Sequence, residues 1–230
     1  MPSDAARVVL GADGCRGGGW VVAALGPGGD LSWDWAADTW ALLDLADHLG
    51  AVAVAADVPI GLPRVGDRRP CDRLAAARLG ARRSSVFPAP PREVLSCPDY
   101  AAARAVAPSL SAQAFGLVPR IREADEALRA RGPRVHETVI EAHPETAFAA
   151  LAAGRFALAT KKSATGALQR LGLLTEALAE LPVEVPAGAA LDDALDAAAG
   201  AWVARRWAAG AAEVLGGEPD ELGLPMRIVV

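Results

Sequence analysis

The chain has 230 residues, of which 52% are hydrophobic, and its formal net charge at pH 7 is −5. This composition supports a sizeable buried core and excludes a mainly disordered chain. The negative balance argues against a protein that coats polyanions over its whole surface, although a local basic surface remains compatible with it.

The cysteines and the N-terminal sequence indicate a cellular compartment. Three cysteines lie far apart without a C-x-x-C pair, which favours neither a disulfide framework nor a thiolate zinc site. The N-terminal residues lack the pattern of a secretion signal, and no apolar stretch is long enough to span a membrane. We therefore expect a soluble cytoplasmic protein.

The first quarter of the chain has the pattern of a sheet. Three apolar segments are predicted strands of an antiparallel meander, and the spacing of leucines then predicts a helix. A fully apolar run follows, as expected for a central strand that is buried on both faces. These elements are residues 7–12, 19–25 and 31–36 for the meander, 39–49 for the helix and 51–56 for the buried strand.

A long insertion at 58–134 is predicted to be mostly α-helical. It begins with a loop rich in proline and glycine, and helices are expected to end near Gly80 and to include 123–131. Between Arg64 and Arg92 there are eight arginines against two aspartates, a local balance of +6 in an acidic chain. The segment from Arg64 to Arg92 is therefore predicted to form a local basic surface, although the net charge of the chain is negative.

The sheet is predicted to resume with a fifth strand over 135–142. Helices are then expected over 163–181 and 191–208, and the tail GLPMRIVV is a candidate edge strand. Four tryptophans occur at spacings that core packing explains, and we expect them to be core residues, not stacking platforms for bases: Trp33, Trp35, Trp202 and Trp207. Together these elements predict one α/β domain over residues 1–230, interrupted by the helical insertion.

Five acidic residues follow predicted strands or lie on the last long helix. Asp13 ends the first strand, Asp57 the fourth and Glu141 the fifth, while Asp193 and Asp196 share a helix face. Carboxylates at strand ends have a fixed backbone and can hold Mg²⁺ or Mn²⁺ through oxygen ligands. Separately, each has an ordinary explanation in a turn or a helix cap. Their order along the chain favours a metal site.

Two polar segments are candidate contacts for substrate phosphates. Arginine guanidinium groups and lysines before a helix N-terminus both suit phosphate oxygens, although a solvated arginine face is an equal explanation for the first segment. The second segment holds the only lysines of the chain. The candidates are Arg78, Arg82, Arg83, Ser84 and Ser85 in the first segment, and Lys161 and Lys162 in the second.

Several blocks resemble domain-of-unknown-function family 429, described as predicted nucleases of the ribonuclease H-like fold. The blocks extend over most of the chain, and their combination is more specific than any one of them. They are GADGCRGGGWVVA, ADVPIGLP, CDRLAAARLGARRSSVFPAP, SAQAFGLVPRIREAD, EAHPETAF, TKKSATGALQRLGLL and DDALDAAAGAW.

The resemblance implies a ribonuclease H-like five-stranded mixed sheet, with three antiparallel strands followed by two strands parallel to the first, flanked by helices. It also implies hydrolysis of phosphodiester bonds with two bound Mg²⁺ or Mn²⁺ ions and a nucleic acid substrate. By motif, the metal ligands fall on Asp13, Asp57, Asp193 and Asp196. Glu141 departs from the resolvase-like pattern, and its role stays open between metal binding and orienting a ligand or water.

Other functions remain compatible with the sequence. His143 is a candidate for proton transfer, but a single histidine before a proline is more often structural. A nucleotide-binding protein of the actin and sugar-kinase type shares such a sheet, although a second glycine-rich phosphate turn is not evident. A non-catalytic binding protein, or a hydrolase of a small phosphorylated metabolite, would keep the same fold.

Overall fold

The computed structural model of the protein describes residues 7–230, so the first six residues of the predicted domain lie outside it. The described chain forms two compact units. The first unit contains residues 7–57, 137–213 and 229–230, and the second contains 58–136 and 214–228. The second unit thus includes the predicted insertion together with a segment from the end of the chain.

The first unit is built on a five-stranded mixed sheet with the strand order β3-β2-β1-β4-β5. Strands β1 to β3 are antiparallel, β4 is parallel to β1, and β5 is parallel to β4. This arrangement confirms the predicted α/β class and the predicted strand directions. The strands are β1 (Val9–Gly14), β2 (Trp20–Leu25), β3 (Leu31–Ala36), β4 (Ala53–Ala56), β5 (Val139–Glu141), β6 (Val214–Pro219) and β7 (Pro225–Val229).

The helices carry most of the rest of the chain. They are α1 (Thr39–His48), α2 (Pro70–Leu79), α3 (Tyr100–Val106), α4 (Ala112–Gly116), α5 (Val118–Ala130), α6 (Val135–Thr138), α7 (Pro144–Ala152), α8 (Ala164–Ala177) and α9 (Leu191–Ala208). Short 3₁₀ helices add Gly80–Ser85 and Arg92–Ser96.

Helix α9 lies directly on the sheet because small residues let the two backbones approach. A methyl group added to Gly11 in β1 would lie 2.0 Å from the backbone nitrogen of Ala201 and 2.1 Å from the carbonyl oxygen of Ala197. Alanines fill the buried face of α9, and the core continues into α7 and α8 through Phe148 and Leu174. This close packing fixes the position of every α9 side chain relative to β1.

The second unit is mostly helical, as predicted for the insertion, and also holds the β6–β7 hairpin. Its polar centre is Arg92, whose Nη2 donates to Asp125 at 2.9 Å and to Asp220 at 2.5 Å. A small apolar cluster that includes Val94 and Val118 supports the helices.

Several predicted elements differ from those observed. Only Val139–Glu141 of the predicted strand 135–142 is a strand, because β5 pairs with a β4 of just four residues, and α6 precedes it. Helix α8 ends at Ala177 instead of residue 181, because Leu178, the next residue, takes an extended conformation. The tail strand β7 forms a separate two-stranded sheet with β6.

The predicted tryptophan packing is confirmed for three of the four residues. Trp33, Trp202 and Trp207 pack against the core of the first unit. Trp35 is 37% exposed, so the prediction is wrong for this residue. It lies near the end of the edge strand β3, where its ring contacts the glycine turn between β1 and β2 at Gly19.

Candidate catalytic site

Asp13 and Asp57 lie side by side at the carboxyl ends of two neighbouring parallel strands. Ala12 of β1 is in register with Ala56 of β4, and the Asp57 amide donates to the Ala12 carbonyl at 3.0 Å. Asp13 is 7% exposed, whereas Asp57 is exposed. The parallel pairing therefore brings together two carboxylates that are 44 positions apart in the chain.

Helix α9 brings Asp193 and Asp196 to the same strand end. Asp196 is one helical turn before Gly200, the residue that packs on Gly11 of β1, and it is only 3% exposed. Gly11 and Asp13 are two residues apart in β1 and so face the same side of the sheet. The close approach of α9 and β1 therefore directs Asp196 toward Asp13.

The pKa values show that these aspartates repel one another. Burial raises the pKa of Asp13 well above its usual value, and the charges of Asp57, Asp196 and Asp193 raise it further, while Lys161 lowers it. Burial likewise raises the pKa of Asp196 to about 7, with Lys161 opposing the rise and Asp57 adding to it. The four aspartates that were predicted to bind metal therefore lie close enough to affect one another's charge. We call them the aspartate cluster: Asp13, Asp57, Asp193 and Asp196.

Lys161 is the cation of this cluster. Its Nζ lies 2.5 Å from Oδ2 of Asp196 and 3.8 Å from Oδ2 of Asp192. Although burial lowers the pKa of Lys161, the charge of Asp196 and its hydrogen bond raise it overall, and the charge of Asp13 adds to this. The sequence predicted Lys161 to be a substrate contact. The structure shows it next to the carboxylates of Asp196 and Asp192.

The remaining predicted residues lie elsewhere. Glu141 is in register with Ala56 and Ala12, one residue before Asp13, so the alternation of the sheet directs it to the opposite face. Lys162 is exposed, and His143 is a half-buried residue before α7. The predicted phosphate contacts of the first segment all belong to the second unit, on α2 and the 3₁₀ helix after it: Arg78, Arg82, Arg83, Ser84 and Ser85.

A buried ion pair near the cluster was not predicted from the sequence. Arg170 on α8 is 1% exposed, and its Nη2 donates to both carboxylate oxygens of Glu145 at 2.8 and 3.0 Å. Its guanidinium lies 5.2 Å from the ring centre of Phe148, and its Nη1 donates to the carbonyl of Gly166 at 2.9 Å. The charge of Glu145 adds to the rise in the pKa of Asp196.

A sequence signal for this pair does exist. Arg170 shares the apolar stripe of α8 with the buried Leu173 and Leu174, at i+3 and i+4. An arginine on a core-facing stripe requires a buried partner.

Cys15 is a second neighbour of the aspartate cluster that was not predicted from the sequence. Burial raises the pKa of its thiol to about 11, and the charge of Asp193 contributes to this rise.

The DUF429 family model, described as a protein of unknown function, matches residues 11–221. The chain belongs to this family. The match confirms the resemblance seen in the sequence, and it includes the whole aspartate cluster and Lys161. No curated protein and no solved structure matches the chain. Within residues 7–230, no helix is long and apolar enough to cross a membrane.

The donor chemistry of this DUF429 protein fits a divalent cation. The aspartate cluster offers only oxygen donors, as Mg²⁺ and Mn²⁺ prefer, and its mutual repulsion is the interaction that such an ion relieves. In the described part of the chain, however, no three His, Cys, Asp or Glu side chains already lie in a metal-holding arrangement. Binding would therefore require side-chain rotation, which the exposed Asp57 permits, whereas the half-buried Asp193 would have to release the Ala190 amide that donates to its Oδ2 at 3.1 Å.

Proposed function

We propose that this DUF429 protein is a metal-dependent nuclease that hydrolyses phosphodiester bonds with Mg²⁺ or Mn²⁺. The observation that carries the proposal is the convergence of the aspartate cluster at one edge of the sheet. Burial and mutual repulsion raise the pKa values of Asp13 and Asp196, so it is costly to ionise these carboxylates together in the absence of a further positive charge. Clusters of this kind suit a doubly charged ion.

The fold supports the same proposal. The strand order, with three antiparallel strands followed by two parallel ones, and the acid-bearing last helix both agree with a ribonuclease H-like arrangement. We extend the coarse α/β assignment to this fold on the basis of that agreement and of the family resemblance. Fold similarity alone assigns no chemistry, so the carboxylates supply the functional argument.

The protein residues have distinct parts in the proposed reaction. Asp13 and Asp57 would hold the cation from neighbouring strand ends, and Asp193 and Asp196 would complete its oxygen ligands from α9. A divalent ion bound there would lower the pKa of a water and neutralise charge on the phosphate. Lys161 would add a positive charge at the same place, beside Asp196.

A nucleic acid is the proposed substrate because the second unit carries an arginine-rich segment. Arg78 and Arg83 are exposed, and Arg82 is half-buried, next to the hydroxyls of Ser84 and Ser85. Guanidinium groups bind phosphate oxygens through paired donors, and a series of them tracks a nucleic acid backbone. Asp13 keeps its predicted catalytic role in this proposal. Glu141, which is buried and directed to the other face of the sheet, is assigned no contact with the metal or the substrate.

The test is cleavage of a panel of single-stranded, duplex, hybrid and branched DNA and RNA, with and without Mg²⁺ or Mn²⁺. Asp13→Asn removes one cluster charge, and Asp34→Asn, at an exposed position of β3, is the matched control. Metal-dependent cleavage by the wild type and the control, with none by Asp13→Asn, supports the proposal. If metal binds and no substrate is cleaved, the nuclease proposal fails, and a small phosphate ester or a non-catalytic role replaces it.

A further inference from the structure

The first unit contains a cleft of about 590 Å³ beside the aspartate cluster. It lies at the N-termini of α8 and α9, and we call it the basic cleft. Its polar walls are Arg16, Lys161, Lys162, Ser163, Arg170 and Asp192. A cleft of this size accommodates a nucleotide-sized ligand.

The charges of the basic cleft are only partly neutralised. Lys161 is paired with Asp196, and Arg170 with Glu145. Arg16 and Lys162 are exposed and make no ion pair with any residue in the range 7–230. The cleft therefore has two free cationic side chains at its opening, which favour an anionic ligand.

The backbone of α8 adds further donors. Ser163 caps this 14-residue helix by accepting a hydrogen bond from the Gly166 amide at 3.0 Å. The first amides of a helix have no acceptor within the helix, and the helix dipole makes this end partly positive. A methyl group at Gly166 would lie 2.0 Å from the carbonyl oxygen of Thr160, so the loop that carries Lys161 and Lys162 is packed tightly on the helix.

Arg170 adds an independent indication of an anion. This side chain lines the cleft although it is 1% exposed, and its Nε is buried without a hydrogen-bond partner. Glu145 neutralises its charge through Nη2 alone. A buried N–H donor without an acceptor is costly, which makes this wall of the cleft receptive to an oxygen-rich ligand.

We infer that the basic cleft binds a phosphate group of the substrate next to the reacting phosphate. The inference rests on the proposed function for the identity of the substrate, but phosphate binding itself does not require catalysis. Lys161 connects the two places, because it lines the cleft and also contacts Asp196 of the aspartate cluster. A phosphate held by Arg16, Lys162 and the α8 N-terminus would place the neighbouring ester bond beside the carboxylates.

Binding is measured by titration in EDTA, so that neither metal nor turnover contributes. The probes are inorganic phosphate, a nucleoside 5′-monophosphate and a short labelled single-stranded oligonucleotide. We expect the double variant Arg16→Gln and Lys162→Gln to weaken binding of the monophosphate about tenfold, the loss of two partly exposed charge-assisted contacts. Arg155→Gln, an exposed arginine of the same unit that contacts Glu176, is the matched control and should bind as the wild type does.

The outcomes separate the cleft from the nuclease. Wild-type binding that the double variant loses and the control keeps establishes the cleft, even if no nucleic acid is ever cleaved. If the wild type binds none of the three probes, or if the double variant binds them as tightly as the wild type does, the inference that the cleft binds phosphate is wrong. This holds even if metal-dependent cleavage is observed. Comparison of the monophosphate with the oligonucleotide then shows whether the phosphate belongs to a small nucleotide or to a strand.

Discussion

The ammonium group of Lys161 lies 2.5 Å from Oδ2 of Asp196, at the centre of a cluster of aspartates. The lysine comes from the loop before α8, and the aspartate is a buried residue of α9. One positive charge therefore partly neutralises Asp196, while the charges of Asp13 and Asp57 still repel each other. Any divalent ion that enters must share Asp196 with this lysine.

Replacing Lys161 should consequently strengthen metal binding. In Lys161→Met, the competing charge is removed, and we expect the affinity for Mn²⁺ to rise by about tenfold, as for the loss of a nearby like charge at a partly exposed site. Isothermal titration of Mn²⁺ into the metal-free protein at neutral pH measures this change. Lys162→Met removes the same charge from the neighbouring exposed position and should change the affinity much less. Unchanged or weaker binding by Lys161→Met would show that the lysine does not compete with metal.

Asp13→Asn should abolish metal-dependent cleavage and increase the stability of the metal-free protein. The substitution removes a buried charge that Asp57 and Asp196 repel, so the free energy of unfolding without metal should increase by about 1 kcal/mol, while metal-dependent cleavage is lost. Urea unfolding in EDTA and a cleavage assay measure the two effects on the same preparation. The control Asp34→Asn should change neither. A clear loss of stability in Asp13→Asn would mean that this carboxylate holds the fold together.

The Glu145–Arg170 pair is expected to stabilise the fold far more than an exposed pair does. Glu145→Ala leaves the guanidinium buried without its partner, and we expect a loss of about 3–5 kcal/mol in unfolding free energy. The exposed pair of Arg155 and Glu176 is the comparison, for which Glu176→Ala should cost less than about 1 kcal/mol. Urea unfolding of both variants tests the difference. Similar small losses would contradict a structural role for the buried pair.

Close contact between β1 and α9 is expected to be essential for the aspartate cluster. Gly11→Ala would place a methyl group 2.0 Å from the backbone of Ala201, which no side-chain movement can relieve. We expect the free energy of unfolding to fall by several kcal/mol. We also expect a lower affinity for Mn²⁺, because the added methyl group would push α9, and with it Asp196, away from Asp13. Gly172→Ala, on α8 with open space around it, should instead gain up to about 1 kcal/mol from helix propensity. Thermal unfolding and Mn²⁺ titration distinguish the two variants, and equal behaviour would refute the packing argument.

Much of the first unit could be predicted from the sequence because its strands are buried and its turns contain glycine. The strand directions and the helix at Leu191–Ala208 were predicted correctly. The length of β5 was not, because a strand at the edge of a sheet can extend only as far as its partner, and β4 has four residues. Local valine and isoleucine content carries no information on that partner.

The composition of the site was predictable only in part. Asp13 and Asp57 follow strands, and that position alone brings them to the same sheet edge. The contact between Lys161 and Asp196 depends on how the loop before α8 lies against α9, which no local pattern encodes. The same limit applies to Glu145 and Arg170, which are 25 positions apart. Pairing of buried charges is a tertiary property, and the sequence shows only that a partner is needed.

The second unit should show a pH dependence that comes from Asp220. Burial raises the pKa of this carboxyl, but hydrogen bonds from the Leu62 amide, Arg92 and the amides of Leu224 and Leu222 outweigh it and lower the pKa overall. A carboxyl whose pKa is lower in the folded state stabilises the fold above its unfolded pKa, and this contribution is lost as the pH falls through the folded value. The loss should therefore begin at about pH 4 and continue below it. Asp220→Asn should be less stable at neutral pH and should lose less stability on acidification.

Urea unfolding of the wild type and of Asp220→Asn across the acidic range measures this difference directly. The control is Glu176→Gln, whose side chain is 60% exposed and pairs with Arg155 at the surface. Because solvent screens an exposed pair, the control should keep the acid dependence of the wild type. If Asp220→Asn also kept it, the acid sensitivity would have to come from other carboxylates, and the hydrogen bonds to Asp220 would not be its source.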